Sequence, residues 1–265
     1  MKGLFNVRHI TDKMFNMNIT RLNIFMALLI VMCQPMYAQL EKPAPIRNEI
    51  LIKHDSYILS FNREKLTPNY VAWCLTPNRV NGPHKRSDFF DVDPKLPGKY
   101  RVTHSDYSRS RLDRGHMCPA ADNRHSKIAM SECFYMSNMC PQSHGLNVGA
   151  WNDLEIQCRS WANNYKKIYI ASGPIYDSPR PRWIGKNGRR IAVPDRFFKV
   201  VLMMGRVPKA IGFIYPNQNV GGDMRDYAVS VNKIEKITGF DFFQQLDDRI
   251  ENKVEDECNP AAWGI

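Results

Sequence analysis

Asp113-Arg114-Gly115-His116, followed by Asn138, Gln142, Asn147 and Glu155, is the stretch whose residue types complement one another chemically. Phosphodiester hydrolysis needs a base to activate water, a cation to hold the scissile phosphate and stabilise the leaving oxygen, and positive charge for the pentacovalent transition state. Histidine suits the base, because a reference pKa of ~6.5 leaves much of it neutral at physiological pH. Arginine supplies fixed charge, and an asparagine-held divalent ion supplies the cation. Gly115 removes side-chain bulk beside His116 and permits close approach of backbone or substrate. Taken alone, the four-residue string reads as a solvated loop with an incidental charge pair; its weight comes from the residues that follow it.

Asn147 stands at the predicted start of an amphipathic helix, in which Trp151, Leu154, Cys158, Trp161 and Tyr165 form one apolar face. Its amide oxygen is a hard ligand suited to Mg²⁺, an ion that commonly keeps several waters and few protein ligands. Helix capping is the plain alternative for an asparagine there. Glu155 follows two turns later, and ~800° of helical rotation puts the two side chains on neighbouring flanks. It could accept hydrogen bonds from metal-bound water, or simply face solvent.

Around these residues, Ile50 to Phe61 reads as an extended segment and Tyr70 to Leu75 as a second β-like run. Thr76 to Gly98, rich in Pro, Asn, Gly, Asp and Lys, reads as a long surface loop of the kind that often carries function. Phe134-Tyr135-Met136 gives a short strand, and further β-like runs cover Lys167 to Ala171, Phe197 to Met204 and Ala210 to Tyr215. A short helix near Ser230 to Thr238 stops at Gly239. Strands outnumber helices without regular alternation, so the expected class is α+β with a largely antiparallel central sheet and flanking helices.

The run from Leu112 to Glu155 strongly resembles the DNA/RNA non-specific endonucleases of the ββα-metal superfamily. Asp113-Arg114-Gly115-His116 looks like the family signature. Tyr135-Met136-Ser137-Asn138 with Pro141-Gln142 resembles the strand after it, and Leu146 to Trp151 with Leu154-Glu155 the helix with the metal ligand. Ala171 to Tyr176 and Val193 to Lys199 also look like family segments, so the resemblance extends from about Ile50 to the C-terminus. It implies a ββα-metal nuclease fold and a magnesium-dependent endonuclease acting on DNA and RNA; Mn²⁺ or another divalent ion could substitute. His116 would be the general base, Asn147 the direct Mg²⁺ ligand, and Glu155 the holder of the ion's waters. Asn138 would position His116 or the phosphate environment, Arg114 would support the site electrostatically, and Gln142 is a substrate-binding candidate. An arginine from the preceding loop would face the phosphate; Arg86 is the candidate, with Arg79, Arg101, Arg109 and Arg111 as rivals.

With 265 residues, 43% of them hydrophobic, the chain can bury one sizeable core, and its composition excludes disordered, collagenous and coiled-coil classes. The net charge of +11 favours polyanionic partners, nucleic acid or an anionic membrane surface. Basic residues before the apolar run Ile24 to Cys33, too short for the ~20 residues of a membrane span, form a signal-peptide pattern ending at Ala38, with Met17 as an alternative start. The expectation is therefore a leader over 1–38 and a single domain over 39–265, exported to the periplasm or secreted, without stable membrane association once the leader is cleaved. Homodimerisation and an inhibitor protein stay open. The leader's four basic residues and one acidic residue leave +8 on the remainder. Six cysteines beyond it, an even number, are compatible with disulfides in an oxidising compartment.

Three rivals accompany the metal-nuclease reading. Cys118 could be a nucleophile activated by His116 or His144, as in thiol hydrolases. His116, Cys118, His125, Cys133, Cys140 and His144 could build a structural zinc site, although their spacing lacks paired short C-x₂₋₄-C units. A catalytically dead nucleic-acid binder ranks lowest, because all the matched residues are present.

Overall fold

Side-chain alternation along the long strands sorts the apolar residues into two cores, one on each face of a sheet. The computed structural model describes residues 39–265 except Asn187, and Gln39–Ile265 form one unit. The leader pattern assigned to 1–38 lies outside the described residues.

The sheet has seven strands in the order β1 (Ile50–Lys53), β2 (Ile58–Asn62), β3 (Thr67–Leu75), β6 (Ile168–Ile175), β9 (Arg196–Met203), β10 (Lys209–Pro216) and β11 (Ala228–Val229). Every neighbouring pair is antiparallel. Val71, Trp73, Leu75, Ile170, Phe197, Val201 and Phe213 face the first core, whereas Tyr70, Ala72, Tyr169, Phe198, Val200 and Leu202 face the second. The long helix α4 (Ala150–Tyr165) covers the first core with Trp151, Leu154, Cys158 and Trp161. Helices α5 (Val231–Thr238) and α6 (Asp248–Asp256) cover the second through Val231, Ile234 and Val254. This is the expected α+β class. Two short hairpins stand apart from the sheet: β4 (Asp113–His116) with β5 (Met139–Gln142), and β7 (Trp183–Ile184) with β8 (Ile191–Ala192).

Local chemistry redraws several predicted elements. The segment from Ile50 to Phe61 turns between β1 and β2, where His54 N donates to Tyr57 O at 2.9 Å. The loop after β3 contains one short helix, α1 (Pro77–Val80). Phe134 to Met136 is not a strand: it follows helix α2 (Lys127–Glu132) and enters a 3-10 turn over Met136–Asn138, and the strand starts only at Met139. The single helix expected to start near Asn147 and carry Glu155 is instead two helices, α3 (His144–Val148) and α4, separated at Gly149 (φ −102°, ψ −119°). A Cβ at Gly149 would meet Gly145 O at 2.6 Å, so the break needs glycine. Asn147 and Glu155 therefore belong to different helices and are brought together by the break. Among the described residues, no helix is long and apolar enough to cross a membrane.

Candidate active site

The β4–β5 hairpin places Gly115 opposite Cys140 and His116 opposite Met139. The Gln142 side chain lies against Gly115, where a Cβ would come 2.0 Å from Gln142 Oε1. Gln142 has no exposed surface and its amide has no hydrogen-bond partner. The substrate contact expected of Gln142 is thus corrected: packing across the glycine turns it inward. Asn138 is also fully buried. Its Nδ2 donates to Cys118 O at 2.9 Å and Cys133 O at 2.8 Å, and its Oδ1 accepts from Cys118 N at 2.9 Å. No hydrogen bond links it to His116, so it acts on the site by fixing the backbone just after that histidine.

His116 is buried with its ring edge-on to Phe134 (centroids 4.9 Å, 87°) and tilted against Phe90 (5.7 Å). Its Nε2 has no hydrogen-bond partner. Burial lowers its pKa to about 3, with Arg86 and Arg114 adding and Asp88 opposing, so the ring is neutral at physiological pH. It lines a cavity of about 540 Å³ together with Arg86, Asp88, Phe90, Asp113, Arg114, His144, Asn147, Asn152, Glu155 and Arg159. Arg86 lies over the Phe134 ring at 5.1 Å and Arg114 over Phe90 at 4.3 Å. The two rings that touch the histidine thus also hold the two guanidinium groups. The loop bearing Arg86 is tied down at Asp93, whose Oδ2 binds Ser137 Oγ at 2.6 Å and His54 Nε2 at 3.0 Å.

Asn147 Nδ2 and His144 Nδ1 both reach Asp113 Oδ2, at 2.8 and 2.9 Å. With its amide nitrogen so engaged, Asn147 keeps Oδ1 as an acceptor that makes no hydrogen bond among the described residues. Glu155 shares the cavity, and burial pushes its carboxyl up to about 7, with Lys199, Arg159 and Arg86 opposing and Asp122 adding.

The structure therefore gathers His116, Arg114, Arg86, Asn147 and Glu155 around one cavity and leaves Asn138 and Gln142 behind it. Of the rival arginines, Arg79 is spent on Ser56 O, Cys74 O, Asp122 O and Asn123 Oδ1. Arg101 is spent on Leu96 O and Pro94 O. Sequence reasoning missed Arg159, four residues after Glu155 and so on the same helical face. It also missed the charges behind the site: Arg159 meets Asp122 at 3.2 Å, and Lys199 lies over Trp151 at 4.5 Å and Trp73 at 5.3 Å. A lysine inside the apolar run Phe197-Phe198-Lys199-Val200-Val201 was the available signal.

A model of the DNA/RNA non-specific endonuclease family matches residues 38–249. The chain belongs to the DNA/RNA non-specific endonuclease family. It is 35% identical over 207 residues to the mitochondrial nuclease EXOG of Xenopus laevis, covering 72% of this chain and 58% of that protein. It is 33% identical over 227 residues to the mitochondrial nuclease of Saccharomyces cerevisiae, covering 77% and 68% respectively. A crystal structure of the EndoG/EndoGI complex matches with a TM-score of 0.69 at 29% identity, covering 75% of this chain and 87% of that one. The ββα-metal nuclease fold is thereby established.

The relatives correct the expected location: named as mitochondrial nucleases, they contradict a periplasmic or secreted assignment. The disulfide expectation is corrected too, since Cys74, Cys118, Cys133, Cys140, Cys158 and Cys258 are free thiols. Cys118 Sγ accepts from Asn123 Nδ2, and Cys133 Sγ donates to Met130 O. As for the thiol rival in this endonuclease-family chain, Cys118 has no exposed surface and burial pushes its thiol up to about 12, the opposite of an activated nucleophile. Among the described residues, no group of three or more His, Cys, Asp or Glu side chains is placed to hold a metal ion, so the zinc cage has no geometric support.

Proposed function

We propose that this chain is a magnesium-dependent, sugar-non-specific endonuclease in which neutral His116 activates water for attack on a phosphodiester. One observation carries the reading: His116, whose buried Nε2 has no hydrogen-bond partner, lines the same cavity as Arg86, Arg114 and Asn147.

The donor set fits a hard, largely hydrated cation. Asn147 Oδ1 would hold Mg²⁺, or Mn²⁺ in its place, with Glu155 accepting hydrogen bonds from the surrounding water. When bound, the ion supplies charge stabilisation at the phosphate and the leaving oxygen.

This chain's own residues supply the rest. Arg86 and Arg114 bind the anionic phosphate, and Arg159 adds positive charge from the helix side. His116 Nε2 takes a proton from water as it attacks. A base of pKa about 3 would be weak, but a bound phosphate offsets the arginine charges that help depress it and so strengthens the base when substrate is present. The grip is on phosphate, not base edges, which supports action on both DNA and RNA. As to location, the named relatives support a mitochondrial setting over an exported one.

The test is incubation of the chain with plasmid DNA and total RNA, with Mg²⁺ or with EDTA. Internal cleavage of both polymers only with the cation is expected; cleavage of neither, or cleavage indifferent to EDTA, overturns the reading.

A further inference from the structure

Arg109 and Arg111 have no hydrogen bond or ion pair among the described residues, and both are exposed. Each is held in the left-handed region, at φ 63° and 62°. An L-residue with a Cβ is disfavoured there and glycine is at ease, so the geometry would be met more cheaply by glycine at both positions. Yet the sequence keeps a long cation at each.

The loop that carries them is fixed at both ends. On one side Tyr107 is buried, after a 3-10 turn capped by Thr103 and Asp106. On the other, Ser110 Oγ accepts from Leu112 N at 3.1 Å, and the chain enters β4 at Asp113, a cavity residue. His104 at the start of the loop also binds the Arg114 guanidinium, Nδ1 to Nη1 at 2.7 Å. The two arginines thus project from a short, anchored arch whose far end is the catalytic wall.

Resting on the nuclease reading above, we infer that Arg109 and Arg111 form a strand-tracking site for nucleic-acid phosphates flanking the scissile bond. Arg86 and Arg114 hold the reacting phosphate; this pair grips its neighbours along the polymer. Such contacts serve every sequence alike and are lost progressively with salt. They matter for a polymer and are irrelevant to a substrate with a single phosphodiester.

The test uses the full chain and the double variants Arg109→Gly/Arg111→Gly and Arg109→Lys/Arg111→Lys. Glycine removes the charge while suiting the backbone, so the fold is retained; lysine keeps the charge. Binding of a fluorescein-labelled 30-mer DNA duplex is followed by anisotropy against salt in EDTA, and cleavage of the 30-mer and a dinucleotide is measured in Mg²⁺. For the glycine variant, the slope of log K against log salt should become shallower by about 1 to 2, at ~0.9 per phosphate contact. KM for the 30-mer should rise about five- to tenfold with kcat within about twofold, and the dinucleotide rate should not change. The lysine variant should keep the wild-type slope. An unchanged slope in the glycine variant, or an equal loss on 30-mer and dinucleotide, overturns the inference. If wild type binds the 30-mer but cleaves nothing, the proposed activity fails while the binding slope still decides the role of the two arginines.

Discussion

The Asp113 carboxylate takes the Nδ2–H of Asn147 at 2.8 Å, and this bond engages the nitrogen end of the amide of a residue that lines the cavity. Were the amide to turn over, its nitrogen would replace the oxygen as the group offered to a cation. Asp113→Ala removes the constraint. The expected result is a ten- to hundredfold loss of metal affinity or activity, the usual range for an outer-shell partner of a metal ligand. A Mg²⁺ titration of cleavage checks it: the half-saturating concentration should rise, and an unchanged titration curve contradicts the assigned orientation.

Gly115 and Gln142 form a second dependent pair. Gly115→Ala places a methyl 2.0 Å from Gln142 Oε1 and should destabilise the fold by about 1–3 kcal/mol, as overpacking does. Adding Gln142→Ala removes that clash but leaves the Gln142 Cβ 2.7 Å from the new methyl. Urea midpoints should therefore show partial rescue in the double variant. Additive losses would mean the two residues do not press on one another.

Behind the cavity, Asp122 is 1% exposed, accepts from Trp73 Nε1 at 3.0 Å and pairs with Arg159 at 3.2 Å. Burial raises its pKa, while Arg159, Lys199 and Arg79 oppose the rise. Asp122→Ala strands those cations and should cost about 3–5 kcal/mol. Asp122→Asn, which still accepts from Trp73, should cost less. Denaturant melts of both variants measure the difference, and equal stabilities would remove Asp122 as the counter-charge.

Stability should also carry a pH signature from the far face. Glu255 is 5% exposed with an unpartnered Oε1, and burial first, then Glu235, Glu251 and Asp241, raises its pKa to about 8. Because the folded value lies above the ordinary 4.5, the group's stabilising contribution is complete below about pH 4.5 and is lost as pH rises towards 8. Glu255→Gln should match wild type near pH 4.5 and exceed it at pH 8.5, read as a difference in urea midpoint. A difference of the opposite sign excludes a neutral buried carboxyl.

Much of this arrangement was legible in the sequence because it rests on local periodicity and on one dense segment. The apolar spacing from Trp151 to Tyr165 marked α4, and alternation marked the central strands. His116, Arg114, Asn147 and Glu155, singled out because their types complement one another, line one cavity. Arg86 came from family resemblance and lines the cavity. What could not be read depends on contacts across space. Asn138 and Gln142 have polar amides suited to a site, but hydrogen bonds to the Cys118 and Cys133 backbone hold the first in the interior and packing against the bare face of Gly115 turns the second inward. Gly149 carries a helix break that helical periodicity passes over. Arg159 and Asp122 lie far apart in sequence and become partners only when α4 packs against the 3-10 turn that carries Asp122. Location was misread because basic residues before an apolar run suggested export.

The central claim is that His116 activates the attacking water, and it is tested most directly by single-turnover cleavage of plasmid DNA and total RNA by His116→Ala, with binding measured in parallel. The account predicts that the variant folds, binds the 30-mer duplex as wild type does, and cleaves both polymers at least ~100-fold more slowly, the usual contribution of a general base. Wild-type cleavage rates in His116→Ala would contradict it.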